Sequence, residues 1–341
     1  MKFGPVPLEQ AAGKLLGHNL ASPDGRRLFR KGKLITAEDV EKLRQLGRKS
    51  VYAAELEPGD VLEDAAALQL ANAVSGDGLR LSRAAGGRVN LIATVAGVLR
   101  VQVGALRALN SFPGVTLATL PTHQVVRPKE IVATLKIIPY AVPGALISQA
   151  EETIAPHRPL IHIDALRPRR VGMILFGSPA SRARLQADFE PPLQARIEAL
   201  GSTAHLTSLI TLEEEADELA LCELLLQAVA QGYELLILAG ETAVQDRYDL
   251  APRAIERAGG CVECVGVPVD PGNLLMLAYL DDIPILGVPG CARSLKTNAI
   301  DWVLPRLLVG ERLTQADLAA LGHGGLLEDT GKRPMPRSRL V

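Results

Sequence analysis

The chain has 341 residues, and its 37 Lys and Arg against 38 Asp and Glu leave a formal net charge of −1. That balance excludes a nucleic-acid binder that works through a global positive field, and an aromatic content of 3% with one Trp supplies few platforms for stacked bases. Apolar residues at 48% and charged residues at 22% are the composition of a soluble globular protein, and at roughly 150 residues per domain the length predicts about two domains.

The start of the chain has no apolar core of a secretory signal, and no apolar run reaches the ~18 residues of a membrane helix. The expectation is a cytoplasmic protein without a membrane partner. Four cysteines are too few for a disulfide scaffold, and the lone pair Cys261 and Cys264 lacks the second pair that a zinc site needs. Residues three apart on a strand face opposite sides, so the two read as packing residues.

In chain order, Thr36 to Leu46 predicts a helix with Thr36 as N-cap and Gly47 as its stop. Asp64 to Ala73 and Gln102 to Leu109 predict further helices. Leu91 to Val95, Val115 to Leu120 and Ile131 to Ile138 predict strands. Pairs such as Pro58-Gly59, Gly86-Gly87, Pro113-Gly114 and Pro143-Gly144 punctuate this half as turns. From about Arg170 the pattern becomes regular. The apolar run Val171 to Phe176 reads as a strand buried on both faces, followed by a helix from Arg182 to Leu200 that stops at Gly201. Ala204 to Ile210 is a strand. Leu212 to Ala230 is a helix with an acidic start at Glu213, Glu214, Glu215 and Asp217, which suits the positive end of its dipole.

Leu235 to Ala239 is again a strand, and Leu250 to Ala258 a helix ending at Gly259-Gly260. Val262 to Val269, Leu274 to Tyr279 and Ile283 to Val288 read as strands, and Ala292 to Val309 as a helix. Thr330 to Val341 reads as a flexible tail. The alternation of strands and helices predicts an α/β domain, a three-layer sandwich with a mainly parallel sheet, preceded by a smaller α+β region. The expected boundaries are an N-terminal lobe over 1–60, an α+β lobe over 61–168, the sheet domain over 169–312 and a C-terminal helix and tail over 313–341.

In such a sheet the ligand site lies beyond the carboxyl ends of the strands. Three loops there combine Gly, hydroxyl and basic residues, a mixture that suits an anion but also an ordinary turn: Gly177-Ser178-Pro179-Ala180-Ser181-Arg182, Gly240-Glu241-Thr242-Ala243-Val244-Gln245-Asp246-Arg247-Tyr248-Asp249 and Pro289-Gly290-Cys291-Ala292-Arg293-Ser294-Leu295-Lys296. Asp246 and Asp249 are the candidate catalytic or Mg²⁺-binding carboxylates, although Asp249 also suits the N-cap of the helix at Leu250. Glu241 suits the donor edge of a heterocycle. Arg293, with its bidentate fork, and Lys296 suit a phosphate.

The last loop, Gly287-Val288-Pro289-Gly290-Cys291-Ala292-Arg293-Ser294, resembles the G-L-P-G-N-P-V-S signature of the molybdopterin molybdenumtransferase family. Pro271-Gly272-Asn273-Leu274 resembles its K-P-G-K-P-L. Ala239 to Asp249 is similar to its G-G-V-S-V-G-D-Y-D loop and to the G-G-T-G loop of the molybdopterin adenylyltransferases. Val6-Pro7-Leu8-Glu9-Gln10-Ala11 with Gly13 resembles the family's opening V-x-V-E-E-A-x-G. The chain departs from the pattern at several points. The first loop lacks the family's acidic pair, Asp270 and Asn273 replace both lysines, and Cys291 replaces the Asn of P-G-N-P.

The resemblance implies a molybdopterin-binding domain and a homodimer. Its ligand, a pterin phosphate, would lie against Gly177, Ser178, Gly240, Glu241, Thr242, Pro289, Gly290, Arg293, Ser294 and Lys296. It implies one of two functions. The first is an enzyme of molybdenum-cofactor biosynthesis that inserts molybdate or transfers a nucleotidyl group, using Asp246 or Asp249 with Mg²⁺. The second is a non-catalytic carrier, sensor or maturation partner that kept the pocket and lost the chemistry. A generic phospholigand-binding α/β protein is a third possibility.

Overall fold

The computed structural model describes residues 1–22, 24–212 and 214–327. Glu213 and the segment from Thr330 to Val341 fall outside them. The chain divides into two compact units, one ending at Asp164 and the other beginning at Ala165. Among the described residues no helix is long and apolar enough to cross a membrane.

The first unit holds two cores. Strands Lys2–Pro7, Ser50–Glu55 and Leu15–Leu16 pair antiparallel with Ser50–Glu55 in the centre. The helix Ala37–Gln45 packs on them through Val40 and Leu43. Its start is a capping box: the Asp39 N–H donates to the Thr36 hydroxyl, and the Thr36 N–H donates to the Asp39 carboxylate. Gly47 closes it in the left-handed region, where a side chain would be strained. The second core lies under a four-stranded antiparallel sheet in the order Val115–Thr119, Ile131–Ile137, Arg88–Ala93, Leu79–Leu81, packed by helices Glu63–Val74 and Gly144–Ile154. That last helix starts at the Pro143-Gly144 pair read above as a turn. Pro143 occupies the N-cap, a place where its missing N–H costs nothing.

The second unit is built on one six-stranded sheet. Its strands are β1 (Arg170–Phe176), β2 (Thr203–Ile210), β3 (Leu235–Gly240), β4 (Cys261–Val265), β5 (Met276–Leu280) and β6 (Ile283–Gly287). The order is β2-β1-β3-β6-β5-β4. The first three pairings are parallel and the last two antiparallel, so the sheet is mixed rather than mainly parallel. The reason is the two-residue connection Asp281-Asp282, which forces β5 and β6 into a hairpin, because a parallel neighbour needs a longer crossover.

The helices are α1 (Arg182–Ala199), α2 (Glu215–Ala230), α3 (Leu250–Arg257), α4 (Ala299–Leu308) and α5 (Gln315–Ala319). Side chains of β1 and β3 alternate between two apolar clusters. Val171, Met173, Leu175, Leu235 and Ile237 pack with α1 and α4, while Ile174, Phe176, Leu236 and Leu238 pack with α2 and α3. A continuous apolar run is what a strand buried on both faces requires.

Two helix starts differ from expectation. α2 begins at Glu215, with the Glu214 N–H donating to Asp217. The helix expected from Ala292 begins only at Ala299. Gly290–Arg293 forms a single 3-10 turn, and Asn298 then caps α4 by accepting from the Ile300 N–H.

Candidate functional site

The strand order places the ends of β1, β3 and β6 side by side, so the loops at Gly177, Gly240 and Pro289 leave one edge of the sheet together. Close approach explains the first two glycines. A Cβ at Gly240 would stand 2.0 Å from the Phe176 ring, and one at Gly177 2.5 Å from Leu185 and 2.9 Å from the Ser181 hydroxyl.

Glu241 ties the first loop to the second. Its carboxylate accepts from the Ser178 N–H at 3.3 Å and hydroxyl at 3.2 Å, and pairs with Arg184 at 2.8 Å. The Ser181 hydroxyl, the Ser178 N–H and the Arg184 charge hold that carboxyl below the usual glutamate range. The Glu241 carboxylate therefore joins the first two loops.

Asp246 and Asp249 are also committed within their loop. Asp246 accepts from the Tyr248 N–H at 2.8 Å, an Asx turn. Asp249 sits at the N-cap of α3, but its side chain turns back to accept from the N–H groups of Gln245 at 2.7 Å and Asp246 at 3.2 Å. Among the described residues no group of three His, Cys, Asp or Glu could hold a metal ion. Of the two carboxylates expected to hold Mg²⁺, Asp246 accepts its backbone donor on Oδ1 and Asp249 both of its donors on Oδ2. Asp249, Thr242, Val244 and Phe176 line a cavity of about 270 Å³ beside the second loop.

The last loop hangs on a residue that sequence reading passed over. Arg196 in α1 is 8% exposed, pairs with Asp301 at 2.9 Å, and donates to the carbonyls of Ala292 at 3.3 Å, Ser294 at 2.6 Å and Lys296 at 3.1 Å. The signal was its position: Leu185, Phe189, Leu193 and Ile197 form the buried stripe of α1, and Arg196 falls on it. Arg293 lies over the Phe189 ring at 4.7 Å with Asp188 at 3.9 Å, and it, Ser294 and Lys296 are exposed.

The segment Pro271–Asn273 meets the first residue of α4. The Ala299 N–H donates to the Pro271 carbonyl at 3.1 Å, and Gly272, at φ +127°, leaves 2.5 Å between its absent Cβ and that of Ala299. The Pro271-Gly272 stretch that resembles the family's K-P-G-K-P-L therefore packs on the start of α4. Cys261 is exposed and Cys264 buried, as a strand requires, and burial pushes the Cys264 thiol up.

A family model described as a domain of unknown function (DUF8806) matches residues 5–55. No curated protein matches the chain. Among solved structures it is similar to the molybdopterin biosynthesis MoeA protein from Pyrococcus horikoshii, at 13% identity over 90% of this chain and 75% of that one, with a TM-score of 0.30. It is similar to the molybdopterin biosynthesis enzyme MoaB from Thermus thermophilus, at 16% identity over 47% of this chain and 99% of that one, with a TM-score of 0.30. It is also similar to the tungsten cofactor synthesizing protein MoaB from Pyrococcus furiosus, at 10% identity over 42% of this chain and 94% of that one, with a TM-score of 0.27.

Proposed function

We propose that the second unit is a molybdopterin-binding module of molybdenum-cofactor biosynthesis, and that it binds the pterin phosphate without transforming it. The observation that carries this is the commitment of every acidic candidate to the protein itself. Glu241 bonds Ser178 and Arg184, Asp246 bonds Tyr248, and Asp249 bonds Gln245 and Asp246, all within a set of loops that keeps glycines, hydroxyls and cations at the ligand edge.

Phosphate binding falls to Pro289, Gly290, Arg293, Ser294 and Lys296. Stacking on Phe189 holds Arg293 in one place, which lowers the entropy lost when it grips an anion. The ring falls to Gly177, Ser178, Gly240 and Thr242. With this reading go the three-layer sandwich of the resembling family over 169–312, partner lobes over 1–60 and 61–168, a cytoplasmic homodimer, and no nucleic acid. The catalytic reading, molybdate insertion or nucleotidyl transfer through Asp246 or Asp249, draws on one observation: Asp249 lines the cavity and both of its bonds fall on Oδ2.

Calorimetric titration with molybdopterin and with its adenylylated form tests the proposal. Sub-micromolar binding of one form is expected, weakened about tenfold, or about 1.4 kcal/mol, by Arg293→Ala. Absence of binding would remove the molybdopterin reading. Turnover with molybdate or a nucleotide, abolished by Asp249→Asn while binding persists, would replace the binder with the enzyme.

A further inference from the structure

The first unit carries a cleft that the site above does not use. The chain has five Phe, five Tyr and one Trp, yet Phe3 and Tyr52 pack on His18, and Tyr140 packs on Phe3. Ring centroids are 5.8 Å apart for Phe3 and His18, 5.2 Å for His18 and Tyr52, and 6.4 Å for Phe3 and Tyr140. Phe3 and Tyr52 remain 47% and 50% exposed, so the cluster is not explained by core packing.

The rings are fixed in place. The Tyr140 hydroxyl donates to the Gly17 carbonyl at 2.7 Å, and its carbonyl accepts from the Glu63 N–H at 2.8 Å. Any Cβ at Gly17 would stand 2.7 Å from the Phe3 ring. Phe3, His18, Tyr140, Lys31, Lys136 and Glu63 line a cleft of about 650 Å³, within the size range of small-ligand sites. Lys136 is paired with Glu63 at 3.4 Å and donates to the Gly86 carbonyl. Lys31 has no carboxylate within ion-pair distance among the described residues. An aromatic wall beside an uncompensated ammonium suits a flat ring that carries an anion.

We infer that this cleft binds a planar heteroaromatic phosphate monoester, its ring against Phe3, His18 and Tyr140 and its phosphate at Lys31. A purine mononucleotide and a pterin monophosphate share this chemistry. The site is independent of the one on the second unit.

The test is calorimetry on the full chain at fixed ionic strength with guanosine 5′-monophosphate, adenosine 5′-monophosphate, a pterin monophosphate, guanosine and inorganic phosphate. At least one ring phosphate binds saturably, and at least tenfold more tightly than guanosine or inorganic phosphate. On an Arg293→Ala background, which removes the phosphate grip of the second unit, Lys31→Ala and Phe3→Ala each weaken it about five- to tenfold. Phe3→Leu, which keeps the packing on Gly17, reads the stacking loss if Phe3→Ala lowers the melting temperature. Preference for a nucleotide or for the pterin identifies the source. The inference is overturned if no ring phosphate binds, if inorganic phosphate binds as well, if both first-unit variants bind normally, or if Arg293→Ala removes the binding.

Discussion

At Gly240 the end of β3 passes so close to Phe176 that a single methyl has no room, with 2.0 Å between the absent Cβ and the ring. Both residues belong to the sheet, and Phe176 is 8% exposed, so neither moves freely. Gly240→Ala is expected to cost about 1–3 kcal/mol, the range for overpacking a filled core. The ring is the obstacle, so Phe176→Leu on the Gly240→Ala background should recover part of that loss. Urea unfolding of the two single variants and the double variant measures the coupling, and strictly additive losses would show that the ring is not what excludes the methyl. In sequence this glycine reads as an anion-site residue. Its packing role needs a neighbouring strand that no local pattern names.

Two side chains set how the loops leave the sheet, and they act on whole elements. Arg196 holds three carbonyls of the last loop and the Asp301 carboxylate from inside α1. Arg196→Met keeps the stem volume and leaves those acceptors without their donor, at an expected cost of about 3 kcal/mol, discounted from the fully buried range because Asp301 is 30% exposed. Denaturant unfolding gives the stability, and ligand affinity should fall with it because Pro289 to Lys296 loses its frame. A variant as stable as the parent would refute the clamp.

Glu241 bonds Ser178 across the first two loops, and its carboxyl is held below the ordinary glutamate value. A depressed folded value means that the tie is present above the unfolded pKa and is lost as pH falls through the lowered one. The Ser178 amide resonance should therefore titrate at a pH below about 4.3 and stop titrating in Glu241→Gln. A midpoint at or above the ordinary value would rule out the tie.

The alternation from Arg170 onward was legible because buried strands and helices carry different periods. The delayed start of α4 was not. The capping pair Asn298 and Asp301 lies inside a stretch that also reads as helix, and Arg196, far away in sequence, pulls the preceding residues off the helical path.

At the scale of the molecule, the apolar clusters respect one line. Those of the first unit hold residues up to Ile163, and those of the second begin with Val171, with Leu166 packed against them. A change of pattern near Leu166 to Arg170 was visible in the sequence. The short strands of the first unit, such as Leu15–Leu16 and Ala141–Pro143, were not, because two or three residues cannot display a period. Separate cores predict separate cooperative transitions. Scanning calorimetry is expected to show two.

A ligand that binds one folded unit raises only that unit's transition, by RT ln(1 + [L]/Kd), or about 2.7 kcal/mol at a hundredfold excess over Kd. Molybdopterin should thus lift the transition of the second unit, and Arg293→Ala should cancel that lift whatever the ligand does to the transition of the first. A single transition that rises as a whole would mean that the units unfold together. The line between the cores would then mark a change of architecture and not a boundary of stability.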